Sequence, residues 1–100
     1  MTDKLEEYRA EIDRLDRELI DILAQRIRVV EAVGRLKAQT GMQVVQAARA
    51  EEVKRRNEEL AAQKGIKREF VRRFYEMLID YAHELEDEII AQGREKHDAN

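Results

Sequence analysis

Leu5, Tyr8, Ile12, Leu15, Leu19 and Ile22 follow one another at alternating spacings of three and four, the apolar seam of an amphipathic helix. The next seam position is Arg26, after which Val29, Val30, Val33 and Leu36 resume the pattern. A guanidinium set among aliphatic side chains is costly unless something anionic pairs with it. Lys37 closes the same stripe eleven residues later. At about 100° per residue the two cations lie within roughly 20° of each other and about 16 Å apart along the axis. Two long cationic side chains reaching toward each other leave room between them for a small dianion. Arg9 lies on an edge of the same seam, in register with Ile12, Asp16, Leu19, Leu23 and Arg26. It is about 25 Å from Arg26 along a straight helix, so the two cannot grip one small ligand within one rod. They can if Arg9 arrives from a second copy packed antiparallel, in a symmetric arrangement with two equivalent sites.

The elements that must position these cations follow from the pattern. The first helix is predicted from about Asp3 to Gln39, with Thr2 or Asp3 as N-cap and Gly41 as terminator. Such a rod is about 55 Å long, whereas a compact domain of this size has a radius of gyration near 13 Å. It overshoots any core its own chain can supply. Gly34 lies within it, at a cost of about 1 kcal/mol relative to alanine unless close packing compensates. A short connection over Met42 to Val45 leads to a second helix, from about Gln46 to Lys64, ended by Gly65. Its apolar face is thin. A third helix, about Lys67 to Gln92, carries Val71, Phe74, Leu78, Tyr81 and Leu85 at heptad spacing, widened by Phe70, Met77, Ile79 and Ile89. Residues 1–92 form the expected domain, and 93–100 are read as a polar, frayed tail. The fold class expected is all-α, three helices per chain with a very long first one, interleaved in a homodimeric bundle.

Composition narrows the function. One hundred residues with no proline, four glycines and 41% charged residues suit a single, mostly helical domain. A net charge of −3 argues against a general nucleic-acid binder. Without cysteine there are no disulfides and no thiolate metal sites. No metal site is expected at His83 or His97 either, both read as surface residues. The opening Met-Thr-Asp-Lys-Leu-Glu-Glu has no apolar targeting core, and no run is long enough to span a membrane. A cytoplasmic location, with no membrane partner, is the expectation.

From about Leu5 to Ile90 the chain resembles the all-helical class of chorismate mutase. The resemblance rests on Arg9-x-x-Ile12-x-x-Leu15-Asp16, on Leu23-x-x-Arg26, on Val33-Gly34-Arg35-x-Lys37, and on Arg49 twelve residues later. It implies an intertwined all-helical dimer with two active sites, each borrowing one arginine from the other chain, and no cofactor. It also implies the Claisen rearrangement of chorismate to prephenate, on the route to phenylalanine and tyrosine. That reaction needs no nucleophile, metal or proton transfer. It needs the enolpyruvyl side chain held over the ring, and donors for the charge that grows on the ether oxygen. By analogy Arg26 and the partner's Arg9 clamp carboxylates in bidentate forks, with Arg49 supplementing them. Lys37 reaches the ether oxygen. The second donor to that oxygen is commonly a glutamine in the family, and here the position is Glu86. An ionised glutamate could not donate, so Glu86 is read as donating in its neutral form.

The chain also departs from the family pattern. Many members carry a carboxylate three residues before the Arg49 position and a glutamate directly after it, both near the ring hydroxyl. Here those positions are Gln46 and Ala50, and a serine common on the third helix is Ala82. Isochorismate pyruvate lyases, which make salicylate, also place a small apolar residue after the arginine, but usually have Ala-Pro-Glu where this chain has Gln46-Ala47-Ala48. The 4-amino-4-deoxychorismate mutases of antibiotic pathways combine a glutamine like Gln46 with a Glu-Asp pair like Glu86-Asp87. Gln46 therefore joins Arg9, Arg26, Lys37, Arg49 and Glu86 as a candidate substrate-binding residue, with Lys37, Glu86 and Arg26 as the catalytic candidates.

Plainer readings exist for each residue. Arg26 could pair with an acid such as Asp16 or Glu31 as a register device, and Lys37 could serve the helix dipole. Arg49 could be a solvated helix-start charge, and Glu86 part of a wet acidic face from Glu84 to Glu88. Phe70, Phe74 and Tyr81 are read as core. A non-catalytic helical dimer acting as an adaptor would explain the heptads and the charge, but not four cations at these spacings.

Overall fold

The structure is a computed structural model and describes residues 3–98, with side chains described for 3–94. It is all-helical: α1 is Lys4–Thr40, α2 is Ala47–Gln63 and α3 is Arg68–Asp98. The N-cap is Asp3, whose carbonyl accepts from the amides of Glu6 and Glu7 at 3.0 and 3.2 Å while its side chain makes no capping bond. Thr2, the alternative cap, lies outside the described residues. Gly41 closes α1 in the left-handed region at φ 74°, which brings its amide to the Lys37 carbonyl at 2.9 Å. A side chain bearing Cβ is strained in that conformation, so a glycine ends the helix there. Gly65, at φ 78°, turns the chain from α2 to α3, and the next amide, that of Ile66, returns to the Ala61 carbonyl at 2.8 Å.

The third helix runs on where the sequence predicts a frayed tail. It continues through Gly93 to Asp98, so the backbone has no break at residue 92. Gly93 ends a helix only if it adopts a left-handed conformation, and among the described glycines only Gly41 and Gly65 do. In a helical conformation it costs about 1 kcal/mol relative to alanine, which the good helix formers after it can carry. Residues 99 and 100 of that predicted tail lie outside the described residues.

Among the described residues α1 and α2 each pack along α3 and not along each other. The molecule is therefore long and thin, 67 × 29 × 15 Å, with a radius of gyration of 18.2 Å. Residues 3–22 of α1 are exposed throughout, and burial begins only at Leu23. Every apolar side chain of the predicted seam from Leu5 to Ile22 is more than half exposed. Past Leu23, Ile27 and Val30 turn onto α3, and Gly34 is buried at the closest approach. A Cβ built on Gly34 would meet Ile89 Cδ1 at 3.1 Å and Glu86 Cα at 3.2 Å. The close packing that justifies a glycine inside the helix is thus contact with the backbone of α3.

The core of a single chain is small. Ala61, Val71 and Ala82 are its buried apolar residues among those described. Phe74 is half-buried and meets Tyr75 edge-on at 5.6 Å, but Phe70 and Tyr81, read as core from their spacing, are 55% and 45% exposed. The heptad reading is right about which face is apolar. It does not say that the covering surface belongs to the same chain. Between α2 and α3, Arg72 draws together Glu51 at 2.9 Å, Glu58 at 3.3 Å and Glu76 at 3.5 Å. Its hydrogen bonds hold the Glu51 carboxyl below the usual glutamate range and raise the guanidinium of Arg72 in turn.

Candidate active site

A cleft of about 300 Å³ opens where α1, the loop before α2, and α3 meet. From α1 it receives Arg26, Val30, Val33 and Lys37, one stripe at helical spacing. Val44, Gln46, Arg49, Ala50 and Val53 come from the loop and the start of α2. The face of α3 contributes Ile79, Ala82, His83 and Glu86. A larger hollow of about 430 Å³ lies where α1 ends against α3 and shares Lys37, but adds only Arg94 as a second charge. The smaller cleft is the one that gathers three cations around an apolar floor.

Lys37 is held most tightly. Its Nζ donates to the Val44 carbonyl at 2.8 Å and lies 2.6 Å from Glu86 Oε1. The two side chains are only 12% and 5% exposed, so this is a buried ion pair and not a surface one. The ammonium is in contact with Oε1, yet that oxygen completes no well-directed hydrogen bond. The contact is therefore best described as an ion pair, with an oxygen still able to take a partner. Glu86 is thus no part of a wet acidic face; it is 4% exposed.

Arg26 is half-buried, and its guanidinium carbon stands 5.9 Å from the centre of the Tyr75 ring. Among the described residues neither Asp16 nor Glu31 pairs with it, and the aromatic face offers only a partial counter-charge. Arg49 stands in the first turn of α2, exposed, with its guanidinium 2.7 Å from Glu52. Gln46 is the N-cap residue of α2, and its amide nitrogen is 3.4 Å from the Gln43 carbonyl. One cleft thus brings together Arg26, Lys37, Gln46, Arg49 and Glu86. It does not bring Arg9, which sits on the exposed half of α1 and pairs with Glu6 at 2.7 Å.

Three contributors escape the sequence reading. His83, read as a surface residue, is half-buried and lines the cleft. The available signal was its place directly after Ala82 and three residues before Glu86, one turn along the same face. The Val44 carbonyl, which anchors Lys37, is a backbone group with no mark in the sequence. Gly34 enters the sequence reading as a helix cost and as part of the family motif, and not as the residue that lets α1 approach Glu86. The side chain of His97 lies outside the described residues. Among the described residues no group of His, Asp and Glu is placed to hold a metal, and no helix is long and apolar enough to cross a membrane.

The site is thus three cations, Arg26, Lys37 and Arg49, set around an apolar floor in an all-helical fold. The chain belongs to the family Chorismate mutase type II, whose sequence profile matches residues 8–87. It is 30% identical over 89 residues to a 4-amino-4-deoxychorismate mutase of Streptomyces venezuelae, covering 89% of this chain and 86% of the relative. It is 33% identical over 92 residues to a 4-amino-4-deoxychorismate mutase of Streptomyces pristinaespiralis, covering 92% and 71% respectively. A T-protein of Haemophilus influenzae matches at 48% over 40 residues, 40% of this chain and 11% of that protein. As a member of the family the chain is an enzyme of the isomerase class, which sets the adaptor reading aside.

Proposed function

We propose that this chain rearranges chorismate to prephenate, as an intertwined homodimer in which each site is completed by the partner's Arg9. The observation that carries the reading is the cleft itself, where Arg26, Lys37 and Arg49 surround the buried Glu86 over an apolar floor. Arg26 and the partner's Arg9 bind the two carboxylates as bidentate forks, and Arg49 adds to their field. This fixes the enolpyruvyl arm over the ring, so that much of the entropy of reaching the transition state is met on binding. As the carbon–oxygen bond breaks, charge grows on the ether oxygen. Lys37, anchored by Val44, meets that charge with an ammonium already in place. Glu86, ion-paired with Lys37 in the free site, donates the second hydrogen bond only after it takes up a proton as the substrate enters. The dimer accounts for the seam from Leu5 to Ile22, an apolar surface that one chain leaves open. The rearrangement uses no cofactor, and the enzyme works in the cytoplasm on the route to phenylalanine and tyrosine, with residues 1–92 as its catalytic unit.

A second reading is favoured by a particular pair of residues. Gln46 and Ala50 line the cleft where a carboxylate would otherwise face the ring hydroxyl, and two relatives are 4-amino-4-deoxychorismate mutases. A site with no carboxylate at those positions suits an amino or a hydroxyl substituent. The test is product identification after separate incubation with chorismate, isochorismate and 4-amino-4-deoxychorismate. Prephenate formed fastest supports the main reading. Aminodeoxyprephenate, or salicylate with pyruvate, formed faster assigns the other substrate.

A further inference from the structure

We infer that His83 is the specificity-determining residue for the substituent at ring carbon 4, an inference that rests on the reading of this cleft as a chorismate-type site. The polar groups of such a substrate can be assigned one by one. Its two carboxylates require cations, and its ether oxygen requires the donors of Lys37 and Glu86. What remains is the hydroxyl or amine on the ring, and the two positions that carry a carboxylate near it in many family members are Gln46 and Ala50 here. Among the residues lining the cleft, the uncharged polar side chains are Gln46 and His83. Gln46 is exposed at the N-terminus of α2, and its amide is turned toward the Gln43 carbonyl. His83 is half-buried on the floor side, next to Ala82 and one turn before Glu86.

The position of His83 in the cleft wall strengthens the assignment. Ala50, Ile79 and His83 line both the cleft and a second hollow between α2 and α3. They form the wall between the two, and His83 is its polar member. Ala50 and Ile79 offer nothing to a hydrogen-bonding substituent. A neutral imidazole carries one acceptor and one donor, so it can accept from a hydroxyl or from a protonated amine. The bond from an ammonium is charge-assisted and the stronger of the two. His83 therefore serves both substituents and favours the amine, while the arginines treat the two substrates alike.

The experiment compares a substrate that has the substituent with one that lacks it. Wild type, His83→Val and His83→Gln are assayed on chorismate, 4-amino-4-deoxychorismate and 4-deoxychorismate, which carries only hydrogen at that carbon. His83→Val should lower kcat/KM about tenfold on the substituted compounds, more on the amine than on the alcohol, mainly through KM. On 4-deoxychorismate it should change kcat/KM less than about twofold, because no bond is lost there. His83→Gln, which keeps a donor and an acceptor, should recover most of the loss. An equal fall on all three substrates would show that His83 only supports the fold, and no fall on any would show that it is idle; either result overturns the inference and leaves the chorismate-type reading standing. Wild-type protein inactive on every compound would instead overturn that reading, and this inference with it.

Discussion

The two halves of α1 continue one apolar pattern and meet different fates, although Val29 and Leu36 of that seam stay 63% and 50% exposed in the second half. From Leu23 onward the helix packs on α3, with Gly34 pressed against the backbone of Glu86 and Lys37 locked between Val44 and that carboxylate. From residue 3 to 22 the same periodicity faces solvent, and its one candidate site residue, Arg9, pairs only with Glu6 a turn away. Hydrophobic periodicity thus reports that a face will be covered, and not by what. In the packed half this chain's third helix covers the flank of Leu23, Ile27, Val30 and Gly34 and leaves Val29 and Leu36 open. In the open half the proposed cover is a second copy, which makes Arg9 a residue with no function in its own protomer.

The largest effect should come from the packed half. Lys37→Ala removes the proposed donor to the ether oxygen and should lower kcat by about 10²–10³-fold. It also leaves Glu86 buried and uncompensated, so the melting temperature should fall as well, by an amount equivalent to about 3–5 kcal/mol. Glu86→Gln, which keeps a donor without the charge, should retain far more activity. Steady-state kinetics with thermal melts of the three proteins checks both effects. In the open half, Leu19→Asp should leave the monomer's helices intact but split the dimer. Each leucine withdrawn from an interface costs about 1.5–3 kcal/mol, and the symmetric dimer loses two. Sedimentation across a hundredfold range of concentration should show monomer for the variant and dimer for the parent. A variant that is still dimeric would remove the basis for distinguishing the two halves.

Two glycines sharpen the same comparison on a smaller scale. Gly34→Ala gains helix propensity of about 1 kcal/mol but drives a methyl into Ile89 and the Glu86 backbone, an overpacking that typically costs about 1–3 kcal/mol. It should destabilise slightly and lower kcat, since Glu86 must shift from Lys37. Gly93→Ala meets nothing within 4 Å and should raise stability by up to about 1 kcal/mol with no change in kinetics. Denaturant titration separates the two signs. The smallest effect belongs to Arg72. The Glu51 carboxyl is held below its ordinary value of 4.5, so its contribution is complete above that pH and is lost as pH falls through the lower, folded value. Arg72→Ala should leave stability near pH 7 slightly reduced and flatten its decline below about pH 4.5, as seen in melts across that range.

Much of this was legible in the sequence because it is written in periods and punctuation. Gly41 and Gly65 end helices where a positive φ is needed, and a stripe at helical spacing places Arg26 and Lys37 on one wall. Gly93 has the same letter and no such role, because nothing in the one-letter code says whether a glycine will turn left-handed or remain helical. His83 and the Val44 carbonyl were hidden for another reason. A histidine next to a small residue and a loop carbonyl gain meaning only when a second element is laid across them, here α2 and its leading loop over α3. The exposure of Phe70 and Tyr81 was hidden by the assumption that an apolar face is covered by its own chain.

The claim that two copies share each site can be tested directly by mixing two damaged proteins. Arg9→Ala and Arg26→Ala are each expected to be nearly inactive on whichever substrate the wild type prefers. Unfolded together in equal amounts and refolded, they should form mixed dimers in half of the cases. One of the two sites in each mixed dimer then carries both arginines, so activity should return to about a quarter of wild type. A mixture no more active than the average of the two variants alone would show that Arg9 and Arg26 never meet across an interface.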